Sequence, residues 1–314
     1  MHSHNRRAAT HLAAVGGTAA VALVWGTSGA IVRLLPLPAA EIACLRAAFG
    51  AVTLGLWFLM RRRPFDWSAA RPSLPSLLVS GLLLAAHWLT YVMALQRAPI
   101  GTVLTGIYMA PILIAVFARR ALSEQLTRLG WTAVLLSVLG SAMVLRPTAA
   151  GGWAGVGLIS FSAITYAGSI IASKSALRAL SASTVAAGQL GVTAVVLSPV
   201  MLIGFVALSS SDIALLGALG VVYSAVAMLA YLAALNNISV VSSAVLLCLE
   251  PVSGFVTGWI TQGERFGVLT AIGVAAVLTA GTFTTITTAG AVKQTVTGAE
   301  SSAPGTTHEE EQKA

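Results

Sequence analysis

Residues 88–124 read WLTYVMALQRAPIGTVLTGIYMAPILIAVFARRALSE, and residues 228–264 read MLAYLAALNNISVVSSAVLLCLEPVSGFVTGWITQGE. Laid over one another at an offset of 140, the two stretches share Leu89/Leu229, Tyr91/Tyr231, Ala94/Ala234, Leu95/Leu235, Pro111/Pro251, Val116/Val256 and Glu124/Glu264 with no gap. Apolar segments resemble one another by chance, so the leucines and alanines carry little. The tyrosine, proline and glutamate pairs belong to rarer residue types in apolar sequence, and all three fall in one register. A looser echo sets Trp25-Gly26 against Tyr166-Ala167. The chain is therefore read as two copies of one unit.

What surrounds the repeat decides what the unit is made of. Hydrophobic residues make up 57% of the 314-residue chain and charged residues 9%, where a soluble domain carries about 25% charged residues. So few charges cannot cover a globular surface, and lipid must solvate most of the outer face. Ten apolar stretches, at about 12–35, 39–60, 74–96, 99–118, 129–146, 153–174, 183–207, 212–235, 239–260 and 266–290, predict ten membrane-spanning helices, each near the roughly 20 residues that a ~30 Å hydrocarbon core requires. The breaks have chemical causes. Pro36 and Pro38 part the first two spans, and Arg61, Arg62, Arg63 and Pro64 end the second. Pro99 opens the fourth, where a missing backbone donor costs nothing. Ser209, Ser210, Ser211 and Asp212 read as a turn and N-cap. Residues 1–11 read as an N-terminal tail, 12–146 and 153–290 as the two repeats, and the polar stretch 291–314 as a disordered tail.

The net charge of +8 reads as topology and not as a nucleic-acid surface, because the cations alternate between the ends of the spans. Ten spans place Arg6, Arg7, Arg61, Arg62, Arg63, Arg71, Arg119, Arg120, Arg128, Lys174, Arg178, Lys293 and Lys313 on one side, against Arg33, Arg97, Arg146 and Arg265 on the other. That bias predicts a multi-pass protein of the inner (plasma) membrane with both termini cytoplasmic. Five spans per unit is an odd number, so the second copy enters the membrane inverted. Inverted repeats suit carriers, whose site at the repeat interface opens alternately to each side.

Several motifs resemble the EamA-type transporters of the drug/metabolite transporter superfamily. They are Trp25-Gly26, Arg46, YVMAL at Tyr91–Leu95, PILIAVF from Pro111, Glu124, Gly140 and, most specifically, LEPVSGFVTGWITQGE from Leu249 to Glu264. The resemblance covers about residues 15–290. It implies an all-α integral membrane fold, ten transmembrane helices in two inverted five-helix repeats around a central cavity, exporting or exchanging metabolites. Within the family, length and aromatic content are similar to the YddG-like aromatic amino-acid exporters.

Polar groups inside spans are costly and need a reason. Glu250, directly before Pro251, could hold a substrate amino group, couple a proton, or bond backbone freed at a bent helix; its partner at the offset is Ala110. His87, Trp88 and Tyr91 share a narrow arc of one helix, reading either as a pocket wall or as packing with a histidine–carbonyl bond. His87 and Trp88 face Ala227 and Met228 across the repeat and so are not required by the shared scaffold. Trp25, Tyr108 and Tyr166 add further aromatic walls, and serines 162, 169 and 173 continue the Tyr166 stripe. Arg46 could bind a substrate carboxylate or pair with Glu41 or a helix end. Glu124 and Glu264 read as local caps or pairs. Cys44 and Cys248 read as small packing residues.

The substrate-binding set expected from sequence is thus His87, Trp88, Tyr91, Tyr108, Trp25, Tyr166, Glu250 and Arg46. No catalytic, metal or cofactor site is expected: phosphate loops, zinc-protease helices and nucleophile elbows are absent from the sequence. Three functions are open at this stage. The first is a secondary carrier exporting amino acids or related metabolites by alternating access. The others are a proton-coupled multidrug efflux pump and a membrane scaffold that transports nothing. The expected partners are a small-molecule substrate and membrane lipid; the oligomeric state is left open.

Overall fold

The computed structural model describes residues 2–62, 67–108, 110, 113, 114, 117, 128–144, 150–202, 207–265, 267–276 and 278–280, and among them every regular element is helical. In order these are α1 (His2–Leu34), α2 (Ala39–Met60), the single turn α3 (Trp67–Ala70), α4 (Leu74–Leu95), α5 (Ile100–Ile107), α6 (Arg128–Val144), α7 (Trp153–Ala176) and α8 (Ala182–Leu197). They continue as α9 (Ser210–Leu235), α10 (Val240–Gln262) and α11 (Val268–Ala280). Seven, counting α8 with its 3-10 continuation to Leu202, are long and apolar enough to cross a membrane, and to within a few residues they coincide with seven of the ten expected spans. α5, α6 and α11 are shorter apolar helices within the other three. Pro111, Val116 and Glu124 of the repeat, and everything beyond Ala280, lie outside the described residues.

Helix starts follow the sequence chemistry. α1 begins at His2, ten residues before its apolar run; Arg6, Arg7, Ala8 and Ala9 are good helix formers and propagate the helix outward. Ser209 caps α9 in a reciprocal box with Asp212, as its spacing predicts. Two long helices are interrupted where the sequence pattern runs straight through. α9 contains a π-helical segment at Leu219–Val226. α10 tightens to a 3-10 turn at Leu247–Leu249 and restarts at Glu250. Pro251 explains the second break, since it offers no N–H to the preceding turn.

The bundle closes at glycine crossings. A Cβ on Gly26 of α1 would strike the Glu250 carbonyl and the Ser253 hydroxyl, with Gly254 N 2.9 Å away. Gly50 of α2 and Gly220 of α9 meet backbone to backbone, a Cβ on Gly50 standing 3.2 Å from the Gly220 carbonyl. Close backbone approach through small residues is how helices associate where lipid is as apolar as they are.

α5 begins with Pro99 at the N-cap, and its own side chains provide no cap. Glu264 supplies one from the end of the other repeat: its carboxylate accepts Ile100 N at 2.7 Å and Gly101 N at 3.5 Å. Arg33 completes the clasp, standing 4.0 Å from the same carboxylate and donating to the Ala98 carbonyl. Glu264 therefore does not act locally, as its loop position suggested, but on a helix 164 residues away. The second repeat shows the corresponding cation contact: Lys174 Nζ donates to the Leu235 carbonyl at 2.5 Å and the Ile238 carbonyl at 2.9 Å. Ile238 is the partner of Ala98 at the 140 offset. Here the following helix carries its own cap, Ser239, which accepts Ser242 N at 2.9 Å. Replacing Glu264 by alanine strips α5 of its only cap and is expected to lower stability by about 1–2 kcal/mol. A thermal or denaturant melt in detergent micelles checks this, with Ser239→Ala as the matching loss in the second repeat.

Candidate functional site

The eight residues singled out from sequence converge on one cavity. α1 brings Trp25, α2 Arg46, α4 His87, Trp88 and Tyr91, the end of α5 Tyr108, α7 Tyr166 and α10 Glu250, joined by Ser28, Leu84, Ile107 and Met228. The space left between these side chains is about 50 Å³, enough for a few waters at most. A ligand the size of an amino acid enters only if the walls move apart.

Arg46 sits deep in the bundle, 3% exposed. Its guanidinium lies 4.0 Å from the centre of the Trp88 ring, and its Nε donates to Ser224 Oγ at 3.3 Å. Of the partners that its sequence context allowed, Glu41 is not one it pairs with; its contacts are Trp88 and Ser224. The π-helical segment explains the Ser224 contact. Ser224 Oγ also donates to the Leu219 carbonyl, five residues back, at 2.8 Å. This wider turn sets the serine beside the arginine, and the Gly50–Gly220 crossing lets α2 and α9 come close enough. Arg46 Nη1 nevertheless remains buried without a hydrogen-bond partner. A buried donor left unmade costs about 1–3 kcal/mol, more when charged, so this atom is poised for an acceptor.

Glu250 begins the second part of α10, and its carboxylate accepts the Tyr108 hydroxyl at 2.5 Å. Both residues lack a polar counterpart in the repeat, Tyr108 facing Cys248 and Glu250 facing Ala110. The two unmatched polar groups of helices in opposite repeats thus satisfy each other. Glu250 and Arg46 line the same cavity without forming a direct ion pair.

The aromatic walls differ between the halves. Trp25 meets Tyr231 at 5.3 Å between ring centres, in the half where the offset partner of His87 is Ala227. In the first repeat His87 occupies the place of Ala227. Its imidazole stacks between Tyr91 at 5.7 Å and Tyr166 at 4.7 Å. Ser162 holds the ring through its hydroxyl, 2.8 Å from Nδ1, and its carbonyl, 3.1 Å away. The backbone bond expected of a structural histidine is present, and so is the place on the cavity wall. Tyr166 OH, like Arg46 Nη1, is buried without a hydrogen-bond partner. Trp25 Nε1 donates to the Tyr223 carbonyl at 2.8 Å, fastening α1 to the π-helical segment.

Two contributors escaped sequence reading. Ser28 lines the cavity and reaches Tyr91 OH at 3.4 Å; it is one small residue in a helix rich in them. Ser224 gives no signal at all, because nothing in its neighbours announces a π-helical turn. Along α10 the hydroxyls bond within the bundle: Ser243 Oγ lies 2.9 Å from Tyr231 OH, and Thr257 donates to the Ser253 carbonyl at 2.6 Å.

Comparison with known proteins follows the same lines. Among curated proteins, an uncharacterised transporter of Pseudomonas aeruginosa is 34% identical over 128 residues, covering 38% of this chain and 42% of that one. The pseudopaline exporter CntI of the same species is 33% identical over 139 residues, covering 43% of this chain and 47% of that one. The chain thus spans under half the length of the curated relatives it matches. A solved crystal structure superposes with a TM-score of 0.71 over 87% of this chain and 96% of its own, at 18% identity, a likeness of fold alone. The EamA-like transporter family model matches twice, over residues 12–146 and 153–286, and the chain is a member of that family, within the drug/metabolite transporter superfamily.

Proposed function

We propose that this protein is a secondary carrier that exports amino acids or closely related small metabolites by alternating access between two inverted five-helix halves. One observation carries the reading: a cavity of about 50 Å³ holds an unpartnered buried guanidinium atom, a carboxylate and aromatic walls at once. Arg46 Nη1 receives the substrate carboxylate, Glu250 its amino group, and Trp25, Trp88, Tyr91, Tyr108, Tyr166 and His87 face its side chain. Charge-assisted hydrogen bonds at both ends select a zwitterion over singly charged or neutral solutes. The contracted cavity is then a closed stage of the cycle, widened when the halves rock. A scaffold that transports nothing has no use for a buried donor lacking a partner. That one relative is named as an exporter agrees with an outward direction.

Proteoliposome uptake across a panel of amino acids tests the reading directly. Arg46→Gln is expected to raise KM about 10- to 100-fold for free amino acids, the cost of one charge-assisted hydrogen bond, and to abolish discrimination between an amino acid and its amide. Unchanged discrimination would remove Arg46 from the site.

Glu250 separates the carrier from the drug pump. In a carrier, Glu250→Gln lowers amino-acid turnover at least about tenfold, the range for losing one bond to a charged group. Broad loss of organic-cation resistance in that variant, with no amino-acid transport by the parent, would instead select proton-coupled efflux.

The proposal includes ten spans in the inner membrane with cytoplasmic termini. Alkaline phosphatase fused within residues 147–152 is expected to be active, and fused after residue 290 inactive. The reverse pattern would overturn the orientation.

A further inference from the structure

Away from the cavity, a groove of about 660 Å³ with almost wholly apolar walls runs among α2, α4 and α8. Gly55 and Phe58 of α2, Leu74 and Leu78 of α4, and Gly191 and Val195 of α8 line it. Its volume falls within the range of about 300–1,000 Å³ typical of ligand sites. Two of its glycines keep it open: a side chain added at Gly55 or Gly191 would meet nothing within 4 Å. Val195, 71% exposed, and Leu78, 47% exposed, place the groove on the outside of the bundle, on helices apolar enough to cross a membrane.

Arginines lie next in sequence to residues that line the groove. Phe58 is followed by Arg61 and Arg62, and the wall residues Ala70 and Leu74 bracket Arg71. All three arginines are exposed. The guanidinium of Arg61 stands 5.8 Å from the centre of the Trp57 ring, an aromatic–cation pairing suited to the headgroup level. The connection from Arg61 to Ser73 carries four arginines against the single acid Asp66.

We infer that this groove is a specific site for an anionic glycerophospholipid, with an acyl chain between α2, α4 and α8 and the phosphate against Arg61, Arg62 and Arg71. Charge complementarity selects this occupant. A second copy of the chain docking here about a twofold axis would set the same arginines against one another, since such an interface pairs a patch with itself. A zwitterionic lipid offers the same chain without the net negative charge. Each arginine near a headgroup contributes roughly a fivefold preference for an anionic lipid.

Native mass spectrometry of the full-length protein in detergent, titrated with phosphatidylglycerol or phosphatidylcholine, reads this out. The parent is expected to retain phosphatidylglycerol at least about 100-fold more tightly than phosphatidylcholine, from three such contributions. Changing Arg61, Arg62 and Arg71 together to glutamine should bring the two lipids level. Gly55→Leu with Gly191→Leu should expel both; the arginine variant, confined to an exposed turn, keeps the test decisive if the glycine variant does not fold. Equal retention of the two lipids by the parent, or an unchanged preference in the arginine variant, would overturn the inference. So would a dimer that displaces lipid and is lost on Gly55→Leu.

Discussion

A guanidinium inside a bundle that has hydrocarbon on its outside is a severe constraint, because every contact it lacks must be replaced by another within the protein. Arg46 is the residue in that position, and much of the surrounding architecture follows from it. The face of Trp88 covers one side of its charge. Ser224 receives one of its donors, and reaches it because α9 widens into a π-helical turn. The turn in turn needs α2 and α9 nearly in backbone contact, which only glycine at 50 and 220 allows. What is left over is a buried Arg46 Nη1 without a hydrogen-bond partner, on a cavity that the Glu250 carboxylate also lines.

The repeat supplies a scaffold, and the site arises where the copies differ. Tyr91 and Tyr231 both remain aromatic anchors of their halves. At His87 and Ala227 the halves diverge: the imidazole stacks with Tyr166 in one half, while Trp25 meets Tyr231 directly in the other. Tyr108 and Glu250 diverge from Cys248 and Ala110 in opposite halves, and the two bond each other. A perfectly symmetric pair of repeats would line the cavity with two identical halves; here the differences between the copies make its two sides chemically distinct.

Most of the cavity could be read from sequence because polar and aromatic groups stand out against spans in which charge is rare. Trp25, Arg46, His87 and Glu250 were legible as outliers, and the helices by length and apolarity. The neighbours of Arg46 were not legible: Glu41, one candidate, lies near in sequence, whereas Trp88 and Ser224 lie near in space. Helix interruptions were illegible at Leu219–Val226, where no proline or glycine pair forces them. The reach of Glu264 was hidden for a simpler reason: a cap looks local in sequence, and this one spans the repeats.

That last contact bears on the order of assembly. α5 leaves the ribosome with Pro99 at its head and no side chain of its own to close its first turn, whereas α10 arrives with Ser239 already in place. The residue that finishes α5 is synthesised 164 positions after Ile100. The first turn of α5 therefore receives its carboxylate cap only after nearly all of the second repeat has been made. The two halves, similar as they are, are not equivalent as folding units: the later one is self-sufficient at this joint, and the earlier one matures only as part of the pair.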